Sequence, residues 1–272
     1  MLYEIKAKNK FSIGFKELWE YRELFFFFAW RDIKVKYKQT ILGVLWAIFQ
    51  PLILMLVFTV FFYKGLGVSS KDSTPYPIFA YTGLIFWNVF SSGVLNASQS
   101  MINNANIIKK VYFPRLVIPV SSVLTSLFDF FMTLLVYFCL FVYYKYSVSP
   151  LLALYIIASL VITSFSTLGI GILMSALNVK YRDFRYVIPF LVQLLFFVSP
   201  VIYPTNIIRW KWIQQLLAFN PMSGPIALVR SCLSQSPVNW NYFAASLISS
   251  TILLIAGIFF FRKTESYFSD LA

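Results

Sequence analysis

The chain has 272 residues, of which 59% are hydrophobic and only 12% charged, whereas soluble domains are about 45–50% apolar and about 25% charged. That much apolar surface cannot be hidden in one soluble core, so the composition excludes a soluble enzyme, a disordered chain and a fibrous protein, and indicates a polytopic membrane protein. The net charge of +13 comes from 23 Lys+Arg against 10 Asp+Glu. Because the basic residues cluster between apolar runs, they fit membrane topology and anionic headgroups rather than nucleic acid.

The first forty residues carry charges throughout, and no apolar core follows the first lysines as it would in a cleaved signal peptide. The apolar block 24–30 is too short to span a bilayer. Between residues 15 and 38 the pattern is that of an amphipathic helix: Trp30, Ile33 and Tyr37 share one stripe, and Arg31, Lys34 and Lys38 the neighbouring one. Aromatics beside basic residues suit a helix in the headgroup plane, with lysines reaching to phosphates.

Residues 41–63 form the first expected span, which as a helix rises about 35 Å, enough for a hydrocarbon core of about 30 Å. Pro51 lies inside it. The second span is expected over 76–101. In its later half Asn88, Ser92, Asn96 and Ser100 recur every fourth residue, a polar face that packs on another helix or lines a wet path. After the basic loop 103–115 come the third span, 116–144, and the fourth, 151–177. The fourth carries a ladder of small residues, Thr163, Thr167, Gly171 and Ser175, which permits close helix approach.

Beyond the basic loop 178–185, the fifth span is expected over 186–203, bracketed by Pro189, Pro200 and Pro204. Residues 205–240 are too polar for a span and too apolar for a plain loop. Trp210 and Trp212 flank Lys211 in an interfacial pattern, Asn220-Pro221 breaks the chain, and a second short helix follows. The two short helices form either a re-entrant pair or a hairpin resting on the surface. The sixth span is expected over 241–261.

The organisation is therefore an all-α integral membrane protein: an N-terminal region 1–40 with the amphipathic helix, a six-helix domain 41–261, and a tail 262–272. Of the 23 Lys+Arg, 17 fall in the N-terminus, the loops after spans two and four, and the tail. By the positive-inside rule these segments, and both termini, are cytoplasmic.

Chemistry is sparse. No histidine is present, which removes histidine-based catalysis and triads. Cys139 and Cys232 lack metal-ligand spacing. No G-x-x-x-x-G-K-[ST] motif occurs, so the chain has no P-loop. Asp129 is the one acid well inside a span, and it either bonds within the helix bundle or tunes a conformational equilibrium. If the chain transports, it needs an external engine, and the two cytoplasmic loops are the candidates for docking it.

Four ordered blocks carry a resemblance. RDIKVKYKQTILGVLWAIFQPL (31–52), ANIIKKVYFPRLVIPV (105–120), NVKYRDFRYVIPF (178–190), and SPVIYP (199–204) with NPM (220–222) resemble ABC transporter permeases of the bacterial polysaccharide export class, most closely the O-antigen permeases of lipopolysaccharide export. The resemblance implies a homodimer bound to two copies of a separate ATPase, which would hold the ATP and magnesium; no cofactor is expected in this chain. It implies export of lipid-linked polysaccharide, undecaprenyl diphosphate-linked, across the inner membrane. The N-terminal helix would be an interface helix, residues 103–115 the ATPase contact, and the short helices after span five a gate. Lys109, Lys110, Arg115, Lys180 and Arg182 are the candidate docking residues, and Arg31, Lys34 and Lys38 the candidates for headgroup or diphosphate contact. Tyr37, Trp46, Phe49, Phe196, Phe197 and Tyr203 are the candidate channel lining, since a sliding glycan favours aromatic faces and few charges. Exporters of capsule or teichoic acid polymer, or of a drug or small lipid, share the pattern more loosely. A membrane transferase and an ion-coupled flippase are disfavoured by the lack of histidine, of intramembrane acids and of an internal repeat.

Overall fold

A computed structural model describes residues 15–38, 43–65, 67, 74–208 and 210–265. These are helical almost throughout: α1 (Phe15–Glu20), α2 (Arg22–Lys38), α3 (Gly43–Phe58) with a π-helical extension Thr59–Gly65, α4 (Tyr76–Asn103), α5 (Ala105–Lys110), α6 (Val117–Tyr143), α7 (Leu151–Lys180), α8 (Phe184–Val198), a 3-10 turn Thr205–Ile207, α9 (Lys211–Ala218), α10 (Ser223–Leu233) and α11 (Trp240–Thr264). The N-terminal region before Phe15, the tail beyond Glu265 and the start of the expected first span lie outside the described residues.

Among the described residues five helices are long and apolar enough to cross a membrane: Leu45–Gly65, Tyr76–Asn103, Val117–Tyr143, Leu151–Lys180 and Trp240–Thr264. The expectation of six full spans is thereby corrected. The expected fifth span is α8, which has 15 residues and rises about 22 Å, short of a bilayer core of about 30 Å. Its helix stops because Pro200 and Pro204 follow at once, and proline neither donates to the ladder nor lets the preceding residue stay helical.

α4 is the axis of the bundle. Seventy-eight per cent of its spanning window is buried, against 11% for the first span and 17% for α11, so α4 belongs to the protein interior while the other two present faces outward. α6 lies antiparallel to α4: Ser126 approaches Gly93, the Phe130 ring meets Phe86, and the Tyr137 ring meets Tyr81. α7 and α11 run parallel to α4. The small-residue ladder explains the closeness, since Thr163, Thr167, Gly171 and Ser175 are all buried. Thr167 meets Gly93, and Gly171 meets Ala97. A second small stripe on α7 receives α11, with Ser166 and Ser250 hydroxyls 3.0 Å apart. There a Cβ on Gly257 would stand 2.3 Å from the Gly169 carbonyl oxygen. With lipid as apolar as the side chains, such contact and hydrogen bonding carry the association.

The two short helices after α8 are not equivalent. α9 lies at the end of the bundle, where its Gln214 carbonyl accepts from Tyr242, near the start of α11. α10 enters the bundle, and most of its residues are buried. The Ser159 hydroxyl, about two turns into α7, donates to the Pro225 carbonyl at 2.9 Å. The Gly224 amide donates to Ser246 Oγ, nearly two turns into α11, at 2.8 Å. The far end of α10 returns to the surface, where the Leu233 carbonyl accepts from Tyr146, just past α6.

Replacing Gly257 by Val should separate α7 from α11. Overpacking of this kind costs about 1–3 kcal/mol, which a lowered thermal midpoint of the detergent-solubilised protein would register; Gly257→Ala should fall between Val and the unmodified chain.

Candidate functional site

Two ends of the bundle carry chemistry. At the first, α2 leans along α6 rather than lying flat across its end: Phe28 packs on Phe113, just before α6, with ring centroids 5.6 Å apart, while Lys36 and Tyr37 reach Asp129, about three turns into it. Lys36 Nζ donates to Asp129 Oδ2 at 2.5 Å, and the Tyr37 hydroxyl donates to Oδ1. Burial and the Asp129 carboxylate together hold the Tyr37 phenol above its usual range, so it stays protonated as a donor. Asp129, expected to bond within the bundle, thus fastens the N-terminal helix. Neither partner stands out in the sequence, because the two sit about 90 positions away; the lone intramembrane acid was the available signal.

Arg31 donates to Asp32 Oδ1 at 2.9 and 2.7 Å and to Asn104 Oδ1 at 2.8 Å, tying α2 to the end of α4. Lys34 and Lys38 are exposed, and the Lys34 ammonium lies 5.2 Å from the Trp30 ring centroid. Phe27, Trp30, Arg31, Lys34, Val35 and Lys38 together line a cleft of about 320 Å³. The structure therefore brings the three expected headgroup residues into one cleft, with two aromatic rings beside them.

The expected docking residues belong to this end too. Lys109 and Lys110 are exposed in the last turn of α5. Lys180 is exposed at the end of α7, its ammonium 5.1 Å from the Tyr181 ring centroid, and Arg182 is exposed in the turn that follows. Arg115 differs. It is partly buried and donates to the Glu265 carbonyl at 2.5 Å, which fastens the loop to the end of α11.

The expected aromatic lining divides into separate groups. Tyr37 is turned to Asp129. Trp46 and Phe49 are exposed on α3. Phe196 is packed inward against Phe58, Trp87 and Phe197. Phe197 and Tyr203 are brought to one cavity, a cleft of about 680 Å³ at the opposite end that Trp210, Ile207, Ile208 and Ile213 complete.

That opposite end is organised by a residue the sequence reading passed over. Residues 200–202 are buried outside the helical hydrogen-bond ladder, an arrangement tolerated at membrane depth only where protein groups satisfy the backbone. Arg230 of α10 does so. Its guanidinium donates to the Pro200 carbonyl at 2.7 Å, to the Val201 carbonyl at 2.5 Å, and to the Phe79 carbonyl at 2.9 and 3.2 Å. It also stacks on the Phe79 ring at 3.5 Å. The Tyr76 hydroxyl donates to the Ile202 carbonyl at 2.8 Å, and Asn220 Nδ2 donates to Ser199 Oγ at 2.9 Å. Gly83 makes room, since a Cβ there would lie 2.2 Å from the Val201 oxygen. A lone arginine in the apolar stretch after Asn220-Pro221 was the signal that could have found this clamp.

The architecture, long apolar helices with basic turns at one end and a broken segment at the other, agrees with a family match. The profile of the ABC-2 type transporter matches residues 23–234. The chain belongs to that family. It is a membrane-spanning permease and not the subunit that hydrolyses ATP. Relatives include the O-antigen export system permease protein RfbA of Klebsiella pneumoniae, 33% identical over 89% of this chain and 92% of the relative. The RfbA protein of Myxococcus xanthus is 32% identical over 93% and 96%. The polysialic acid transport protein KpsM of Escherichia coli is 25% identical over 86% and 91%.

Two outcomes follow for this family member. Arg230→Met leaves three carbonyls without their donor, a loss of about 3 kcal/mol or more, seen as a lowered thermal midpoint and new protease cleavage near residues 199–210. Arg230→Lys should recover only part of it, because an ammonium has fewer donors and no planar face. Asp129→Leu should loosen α2 by about 1–2 kcal/mol, modest because Lys36 is 41% exposed and water screens the pair. A Phe28→Cys/Phe113→Cys disulfide should then form more slowly.

Proposed function

We propose that two copies of this chain form the channel of an ATP-driven exporter of lipid-linked polysaccharide, O-antigen-like and joined to undecaprenyl diphosphate, across the bacterial inner membrane. The observation that carries this reading is similarity at 32–33% identity to O-antigen export permeases, extending over about nine-tenths of both chains. The lower identity to a polysialic acid transporter puts capsule-type polymer second.

On this reading α8 and residues 199–203 together make the sixth crossing, half helix and half clamped backbone, and both termini are cytoplasmic. The positive-inside balance supports that orientation. The cytoplasmic end then carries α2, α5 and the turn after α7, and the other end carries α9 and α10 as a re-entrant pair. Lys109, Lys110, Lys180 and Arg182 present cations to the separate ATPase, and Arg115 holds their platform to α11. The basic cleft on α2 receives the diphosphate: exposed Lys34 and Lys38 supply its free charge, Arg31, already paired with Asp32, lines it beside them, and Phe27 and Trp30 give an apolar wall for the lipid. Outward-facing Trp46 and Phe49 suit the seam between two copies or the glycan path. Phe197, Tyr203 and Trp210 offer rings to sugar C–H faces at the exit.

Deletion of the gene should abolish surface polymer and leave its lipid-linked form inside the cell, with recovery on re-expression. Surface polymer that persists without a redundant exporter would discard the substrate. Lys109→Glu, Lys110→Glu and Arg182→Glu together should prevent co-purification of the ATPase and abolish export while membrane insertion is retained.

A further inference from the structure

Behind α2, on the flank away from the basic cleft, lies a chamber of about 710 Å³, within the usual range of about 300–1,000 Å³ for small-molecule sites. It is open to the outside and bordered by α2, α4, α5 and α6, and its lining is unlike the rest of this apolar chain. Five side-chain amides line it: Asn96, Gln99 and Asn103 from α4, Asn104 at its end, and Asn106 from α5. Asn104 is engaged by Arg31 and the Ser100 carbonyl; the other four make no side-chain hydrogen bond among the described residues. Of the polar face expected on α4, Asn96 and Ser100 line this cavity, and Asn88 and Ser92 do not.

The charges at the rim are already matched. Arg31 is held by Asp32 and Asn104, and Lys36 by Asp129. An anion entering here would find its cations neutralised. What remains available is a set of accessible amides with no protein partner, each able both to donate and to accept, which is the complement of a hydroxyl group. The cleft on the other flank has the opposite character, with exposed Lys34 and Lys38 beside aromatic rings. Arg31 and Val35 line both cavities, so one amphiphile can occupy the two at once.

We propose that the chamber binds the first sugars of the lipid-linked substrate as a neutral polyol, next to the diphosphate in the adjoining basic cleft. This rests on the polysaccharide-export reading above. Because Asn106 belongs to α5, sugar in the chamber touches the helix that carries Lys109 and Lys110.

The test is maleimide labelling of Gln99→Cys, in a chain with Cys139 and Cys232 changed to Ser, assembled with its ATPase in inverted membrane vesicles. Vesicles are prepared from cells accumulating lipid-linked polymer, the lipid diphosphate carrying one sugar, or the bare lipid diphosphate. Labelling should slow about tenfold with the first two, as for a site nine-tenths occupied, and be unchanged with the third. Equal slowing by the bare lipid diphosphate would put the anion in the chamber and overturn the proposal. Labelling indifferent to all three would overturn it as well. If Gln99→Cys fails to export, Asn103→Cys reports from the same wall. Loss of surface polymer on gene deletion, with labelling unaffected, would sink the chamber alone; surface polymer that survives deletion would sink the export reading.

Discussion

Non-helical backbone inside a bundle of apolar helices must have its carbonyls satisfied by protein, and one guanidinium meets that demand for Pro200 and Val201 while the Tyr76 hydroxyl meets it for Ile202. Arg230 joins the carbonyls of Pro200 and Val201 to that of Phe79, and so locks α10, the broken segment and the start of α4 into one unit. Its own charge is accepted at this depth because carbonyl dipoles and the Phe79 ring surround it. The prolines that end α8 create the need, and the burial of α10 in the bundle supplies the donor.

Around that unit the packing divides the molecule into a rigid part and adaptable faces. α4, α6 and α7 meet through small residues and buried hydroxyls, at separations that leave no room for an added carbon at several positions. Interfaces of this closeness behave as fixed blocks. α3 and α11, mostly exposed within the chain, have apolar outer faces.

Charge is segregated by the same logic. On α2 the cations turned toward the bundle, Arg31 and Lys36, have acid or amide partners, whereas Lys34 and Lys38 are left exposed on the other flank. The helix therefore separates a basic cleft from a polar one whose cations are paired. Acid pairing on one flank and its absence on the other make that separation, over a few ångströms and without any histidine or metal.

The sequence by itself determined the membrane class, five of the spans within a few residues, the small-residue ladder on α7 and the grouping of basic turns, because hydropathy, helical period and charge are read along the chain from near neighbours. It also put Arg31, Lys34 and Lys38 on one stripe of α2, and all three line one cleft. Tertiary structure decided the rest. Lys36 and Asp129 are 93 positions apart, and Arg230 and Phe79 are 151 apart; such partners meet only when the bundle closes, so no local pattern announces them. The same holds for the aromatic residues expected as one belt. Composition marks Tyr37, Phe196 and Phe197 as alike, yet a nearby carboxylate claims the first, the core takes the second, and only the third lines a cavity. Which side chains remain unpaired is settled by what the neighbouring helices bring to them.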